Sequence, residues 1–183
     1  MADEELARLL EEARKRTPEA LAELCELFYP KVLKYMHYRV AAQHAEDLTE
    51  EVFLRVVRSI QGQTGSFNAW LYRVAANVVA QWYRQKKRRD CVGIEEIDGE
   101  LASAADGPGE TVPRHLDLTE AIGQLTDDQR EFVTLKFIQG LSNADIAEIT
   151  GRSPEAIRAL QFRALSALRQ ILDDEKKSHE RSN

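Results

Sequence analysis

Residues 141–169 read LSNADIAEITGRSPEAIRALQFRALSALR, and one corner inside them decides the fold. Ile146 and Ile149 belong to one helical stripe, Ile157 and Leu160 to another, and Gly-Arg-Ser-Pro at 151–154 separates them. Ala147, Gly151 and Ile157 stand at Ala-x3-Gly-x5-Ile spacing. A small residue lets a second helix cross close to the first, and a glycine takes the positive-φ position of a tight turn. A β-branched apolar residue then fills the space between the helices. Ser142 and Ser153 stand at N-cap positions, and Pro154 at a first helical position. All of these choices predict a helix-turn-helix.

Such a corner offers the N-terminal end of its second helix to the DNA major groove. Here that end carries Arg152, Ser153, Glu155, Ala156, Arg158 and Ala159, with Phe162 and Arg163 one turn on. Residues 152–169 hold four arginines and one glutamate, a local charge of +3. Arginine reads guanine edges with two hydrogen bonds, and a glutamate accepts from a cytosine amine. Ser153 and the free amides of a helix start suit a phosphate. On this segment alone, the alternative is an ordinary helical hairpin with a solvated basic face.

The rest of the chain is helical in character as well. Of 183 residues only nine are Gly and five Pro, while 43% are hydrophobic and 31% charged. This predicts an all-α protein. No apolar run approaches the roughly 20 residues of a membrane span, so no membrane insertion is expected. The N-terminus, MADEELARLLEEARKR, is acidic and amphipathic and lacks the basic start and apolar core of a secretory signal. Cys25 and Cys91 lie far apart in unlike contexts, which speaks against a disulfide framework or zinc site. A cytoplasmic location follows as the expectation. The net charge of −6 argues against indiscriminate DNA binding, so the distribution of charge matters more than its sum.

Leu6, Leu9, Leu10 and Ala13 form a first apolar stripe. Thr17 and Pro18 are placed to cap and start a second helix, and Pro30 predicts a kink or break in it. A third helix runs through AEDLTEEVFLRVVRSI, with Leu48, Val52, Phe53 and Val56 on one face. QGQTGS (61–66) is a loop by composition, and Ser66 caps a fourth helix whose stripe is Phe67, Trp70, Leu71, Val74, Val78 and Trp82. Residues 90–115 then carry seven acids against one base, Arg114, and read as a flexible acidic linker. After it come a short helix near Leu116 and a helix opened by Thr126 and Gln129 as a capping box and ended by Gly140. The two helices of the corner follow. The tail from Asp173 is polar and expected to fray.

The fourth helix departs from this acidic background. Residues 67–89 hold six bases and no acid, interleaved with Trp70, Tyr72, Trp82 and Tyr83. Bases stack on aromatics and phosphates follow cations, which suits single-stranded or melting DNA. The third helix gathers Glu46, Asp47, Glu50 and Glu51, with Arg55 one turn on. An acidic and apolar face of this kind repels DNA and suits a basic protein partner. A carboxylate-bridged metal centre is the sharper alternative, but no histidine follows a glutamate at the three-residue spacing such bundles use. Nor is there a Ser/His/Asp or Cys/His set or a glycine-rich phosphate loop. No catalytic residue, metal, cofactor or small-molecule substrate is therefore expected.

Jointly and in order, these segments resemble the sigma factors of bacterial RNA polymerase, of the small extracytoplasmic-function (ECF) group. AEDLTEEVFLRVVRSI is similar to region 2.2, FNAWLYRVAANVVAQWYRQKKRR to regions 2.3 and 2.4, and residues 125–169 to region 4. The resemblance implies two small helical domains, a region 2 bundle (1–89) and a region 4 helix-turn-helix (116–172), joined by the acidic linker (90–115) and followed by a polar tail (173–183). It implies that Asp47, Glu50, Glu51 and Arg55 dock on the β′ clamp helices of core RNA polymerase, with region 4 on the β flap. Gln61, Gln63, Thr64, Ser66, Asn68, Arg73, Asn77, Gln81, Arg84, Lys86 and Lys87 would engage the −10 element of promoter DNA. Arg152, Ser153, Glu155, Ala156, Arg158, Ala159, Phe162 and Arg163 would read the −35 element. The linker would thread toward polymerase channels built for a polyanion. The family also implies an anti-sigma partner and a response to stress or an envelope signal. Glu50, Ala76 and Gln81 stand where the family commonly has Gln, Arg and an acid.

Two other readings compete. A stand-alone helix-turn-helix regulator would be a dimer on a two-fold site, leaving the basic aromatic helix and the linker unexplained. A helical-bundle enzyme would need a catalytic set. The net charge of −6 predicts that the free protein binds DNA poorly, and the two domains are expected to pack together when free, hiding both DNA faces.

Overall fold

The computed structural model describes residues 3–91 and 113–182, and among these every regular element is helical. Eight α-helices follow in order: α1 (Asp3–Arg14), α2 (Pro18–Arg39), α3 (Ala42–Ser59), α4 (Phe67–Cys91), α5 (Pro113–Gly123), α6 (Asp127–Val133), α7 (Asn143–Thr150) and α8 (Pro154–Ser182). A 3-10 turn (Ile60–Gly62) links α3 to the loop before α4, and a π-helical turn (Thr134–Ile138) extends α6. The expected linker falls, for residues 92–112, outside the described residues.

Helices α1–α4 form the first half. Leu24, Phe28, Val32, Tyr35 and Met36 of α2 are buried, as are Val52, Phe53 and Val56 of α3. Thr49 is buried between them and satisfies its hydroxyl by donating to the Ala45 carbonyl at 2.7 Å. Of the expected kink or break at Pro30, the break is absent, since α2 runs through it. The proline lies on the exposed side, so its missing N–H falls where water can serve the orphaned carbonyl. Thr17 stands at the N-cap of α2, but its hydroxyl bonds Glu12 rather than the helix amides.

Helices α5–α8 form the second half. Ser142 caps α7, accepting from the Asp145 N–H at 3.1 Å, while Asp145 returns the bond to the Ser142 N–H. Gly151 takes φ +67° and ends α7, and the Ser153 hydroxyl accepts from the Ala156 N–H at 3.2 Å to start α8. Ile146, Ile157 and Ala164 are wholly buried between the helices. The predicted corner is therefore present in each part. The polar tail does not fray at Asp173; α8 continues to Ser182, built of good helix formers.

The two halves share one apolar core, because α7 lies along α4 while α5, α6 and the π turn rest on α2. This explains why α4 buries more than the single predicted stripe. Phe67, Leu71 and Val78 are buried, and so are Ala69, Tyr72, Ala75 and Val79, whereas Trp70, Val74 and Trp82 are only partly so. Between the halves lie two guanidinium groups, Arg39 at 7% and Arg130 at 6% exposure. Arg39 Nη1 donates to the Asp127 carbonyl at 2.9 Å, and Arg130 Nη2 to the Gly123 and Leu125 carbonyls. Tyr83 closes the cluster by donating to the Arg39 carbonyl at 2.8 Å. Burial, and next the nearby Arg39 charge, depress the Arg130 pKa.

Candidate nucleic-acid interface

Helix α8 carries the more open of the two candidate DNA surfaces. Its first turns present Ser153, Glu155, Arg158, Ala159, Phe162 and Arg163 to solvent, and Ala156 partly so. Phe162 is 75% exposed, an unusual position for a phenyl ring unless something apolar, such as a thymine methyl, is to meet it. Glu155 is held below the usual carboxylate range by its own backbone N–H and then by the Ser153 hydroxyl, which keeps it an acceptor. Arg158 approaches Glu155 only loosely, at 3.9 Å. Arg152 differs: it pairs with Asp128 of α6 at 2.7 Å, so its fork is engaged within the second half.

The other surface is built from the loop 61–66 and α4. Gln61, Thr64, Ser66, Asn68, Asn77, Arg84 and Lys87 are exposed. Ser66 caps α4 by accepting from the Ala69 N–H at 3.3 Å. Asn68 lines a cleft with Lys31, Lys34, Tyr72 and Gln139. Lys86 Nζ lies over the Trp82 ring, 5.5 Å from its centroid and within cation–π range, and Trp82 in turn meets His44 and Tyr83. Two expected contact residues are turned to other work. Gln63 is 3% exposed, with both ends of its amide engaged. Gln81 accepts from Arg55 Nη2 at 2.8 Å, and Arg55 Nε also holds Glu51 at 2.7 Å. Arg55 thus ties α3 to α4.

The front of α4 faces the second half. Arg73 Nη2 donates to the Glu148 carboxylate at 2.7 Å and to its carbonyl at 3.0 Å. Tyr72 is buried and donates to Gln139 Oε1; burial raises its pKa, so the phenol stays a donor. Gln139 reaches on to the Lys31 carbonyl at 3.2 Å. The packing of the halves thus buries Tyr72 and pairs Arg73 at part exposure, while most of the expected contact residues of the loop 61–66, of α4 and of α8 face solvent.

On α3, Asp47 and Glu50 are exposed, Glu51 and Arg55 partly so, and Leu54 stands among them at 52% exposure. Leu54 was not singled out in the sequence, although it lies seven residues after Asp47 and four after Glu50, on the acidic face. The same holds for Arg39 and Gln139, whose roles arise only when the halves meet, and for Arg130, which holds the Gly123 and Leu125 carbonyls within the second half. Among the described residues no group of acidic, His or Cys side chains could hold a metal ion, and no helix is long and apolar enough to cross a membrane.

Residues 24–89 match sigma-70 region 2, and residues 115–168 match sigma-70 region 4. The ECF RNA polymerase sigma factor BldN of Streptomyces coelicolor is 36% identical, over 95% of this chain and 69% of its own length. The chain belongs to the ECF sigma factors. The RNA polymerase sigma factor CarQ of Myxococcus xanthus is 32% identical over 90% of this chain and 96% of CarQ. Among solved structures, the sigma factor RpoE of Bartonella quintana, in complex with the anti-sigma factor NepR, superposes with a TM-score of 0.70 at 21% identity. It covers 83% of this chain and 96% of that one. CnrH, in complex with the cytosolic domain of CnrY, gives 0.67 at 20% identity over 91% of this chain and 96% of that one. These two likenesses concern the fold. As an ECF sigma factor, the chain is a promoter-specificity subunit of RNA polymerase that acts with core enzyme and promoter DNA.

Proposed function

We propose that this sigma factor directs initiation at a dedicated promoter class by dividing two readings between its halves. The observation that carries the proposal is the solvent-facing start of α8 on the same chain as the basic aromatic α4. Region 4, residues 116–172, reads the −35 element through Arg158, Phe162 and Arg163, with Ser153 on a phosphate. Region 2, residues 1–89, receives the −10 element on the loop 61–66 and on Asn77, Arg84 and Lys87, where an unpaired base can stack and be held. Asp47, Glu50 and Leu54 form the acidic and apolar face that meets the polymerase β′ clamp, and the segment 90–115 follows the path of nucleic acid inside the enzyme. The chain contributes binding and positioning rather than a reaction of its own, and it works in the cytoplasm, where the polymerase is.

The closed contact between Arg73 and Glu148 supports an order of events. Core polymerase binds first and draws the halves apart, and only then is the front of α4 available to DNA. A protein inhibitor, of the kind bound to RpoE in its solved complex, fits the same logic by holding the halves together until an external signal removes it.

Run-off transcription with purified bacterial core polymerase, with and without this chain, on a library of promoter fragments tests the proposal. Transcripts that appear only with the chain, and start sites sharing two upstream elements, are the expected result. Failure to bind core enzyme would overturn it and favour a dimeric regulator.

A further inference from the structure

Helix α1 lies ahead of the segment that matches sigma-70 region 2, and the promoter reading makes no use of it. Yet it grips the approach to the loop 61–66 from both sides. Leu9, Leu10 and Ala13 are buried and seat α1 on α2 and on the Ile60–Gly62 turn. Just past its end, Arg16 adopts φ 62°, the only positive φ outside glycine among the described residues. That left-handed turn is disfavoured for arginine, so local preference did not choose it. From there Arg16 Nη2 donates to the Arg58 carbonyl at 3.2 Å, at the end of α3.

Arg14 takes hold of the loop on its other side. Its Nη2 donates to Gln63 Oε1, and Gln63 Nε2 donates onward to the Gly65 carbonyl at 3.0 Å. The Gln63 N–H closes the 3-10 turn on the Ile60 carbonyl at 3.1 Å. One glutamine thus joins α1, the turn and the far limb of the loop, where Gly65 takes φ +72°. Arg14 Nε is shielded from solvent and meets no acceptor.

We infer that Arg14 and Gln63 are a strut that positions the −10-reading loop. They hold the exposed Gln61, Thr64 and Ser66 in one arrangement and make no base contact themselves. This rests on the reading of that loop as the −10 receptor. An ordered loop meets an extruded base without first losing conformational freedom, and it discriminates between bases because its polar groups are fixed. Without the strut, the loop accepts wrong bases by rearranging.

The test is run-off transcription on promoters in which each −10 base is changed singly, with saturating holoenzyme made from the unaltered chain, Arg14→Met, Gln63→Met and the double variant. The readout is the ratio of transcript from the preferred sequence to that from each single-base change, with core affinity and −35 preference measured alongside. The strut predicts that each variant compresses the ratio at one or two −10 positions by about tenfold, while core affinity and −35 preference stay as they were. It also predicts that the double variant is no worse than the worse single one, because both break one chain of bonds. Unchanged ratios would overturn the inference. So would an equal loss across all −10 sequences, including loss through unfolding, because that is the mark of a merely structural pair. No core-dependent transcript from the unaltered chain would instead sink the promoter reading itself, and would be recognised by needing no substitution.

Discussion

Helices α4 and α8 carry similar side chains and stand in opposite circumstances. Each combines arginines with an exposed or half-exposed aromatic ring. On α8, Arg158 is 72% and Phe162 75% exposed, with no other helix across them. On α4, Tyr72 is 3% exposed and Arg73 is paired to Glu148 of α7. The difference teaches that a nucleic-acid surface is set by what rests on it as much as by its composition. On the proposed reading it also ranks the two: the α8 surface is open, whereas Tyr72 and Arg73 of α4 are engaged by the second half.

The comparison breaks most completely if the corner that supports both helices is emptied. Ile157 is wholly buried between α7 and α8, and α7 is also what covers α4. Ile157→Ala is expected to cost about 2–5 kcal/mol, read as a lower thermal midpoint by circular dichroism. It should weaken −35 binding and uncover Arg73 together. Next comes Arg158→Ala, which should cost about 1–3 kcal/mol of binding to one promoter class in a mobility-shift titration of holoenzyme. An equal, small loss on unrelated promoters would assign Arg158 to a phosphate. Tyr72→Phe removes the donor to Gln139 and should release about 1 kcal/mol of the contact between halves. Fluorescence transfer between dyes on the two halves should fall, and binding of a single-stranded −10 oligonucleotide by the free chain should rise about fivefold. Smallest is Glu148→Ala. The Arg73–Glu148 pair is part exposed, so its loss should open the halves by only about 0.2–1 kcal/mol, in the same fluorescence assay, and less at high salt.

Much of this was legible because it is local. Ser142, Gly151, Ser153 and Pro154 each state a cap or a turn within a few residues of where they act, and the corner formed as those residues require. The helical stripes of α2 and α3 were legible for the same reason. What escaped depends on partners distant in sequence. Gln63 looks like a polar loop residue until Arg14, 49 positions away, is seen to hold it. Gln81 reads as a polar surface residue until Arg55 is seen to reach it from α3. The double-sided burial of α4 follows from α7 lying across it, and the sequence of α4 alone carries only the weaker trace of small residues at Ala69 and Ala75. Pro30 sits inside α2 without ending it because the rule against interior proline applies most strongly where the orphaned carbonyl is buried, and here it faces water.

The π-helical turn at Thr134–Ile138 has a geometric consequence of its own. The Gln139 N–H reaches back to the Thr134 carbonyl at 3.0 Å, five residues away instead of four. One surplus residue advances everything after it by about 100° around the helix axis. That rotation is what turns Gln139 toward Tyr72 and Lys31 and leaves Phe137 facing outward at 53% exposure. Deleting a single residue from this turn would restore ordinary helical phase and swing Gln139 off its partners, though every residue of the contact would still be present. The length of the chain at this one place therefore decides whether Gln139 meets its partners, and a change of register there would undo one tie between the halves while leaving the others standing.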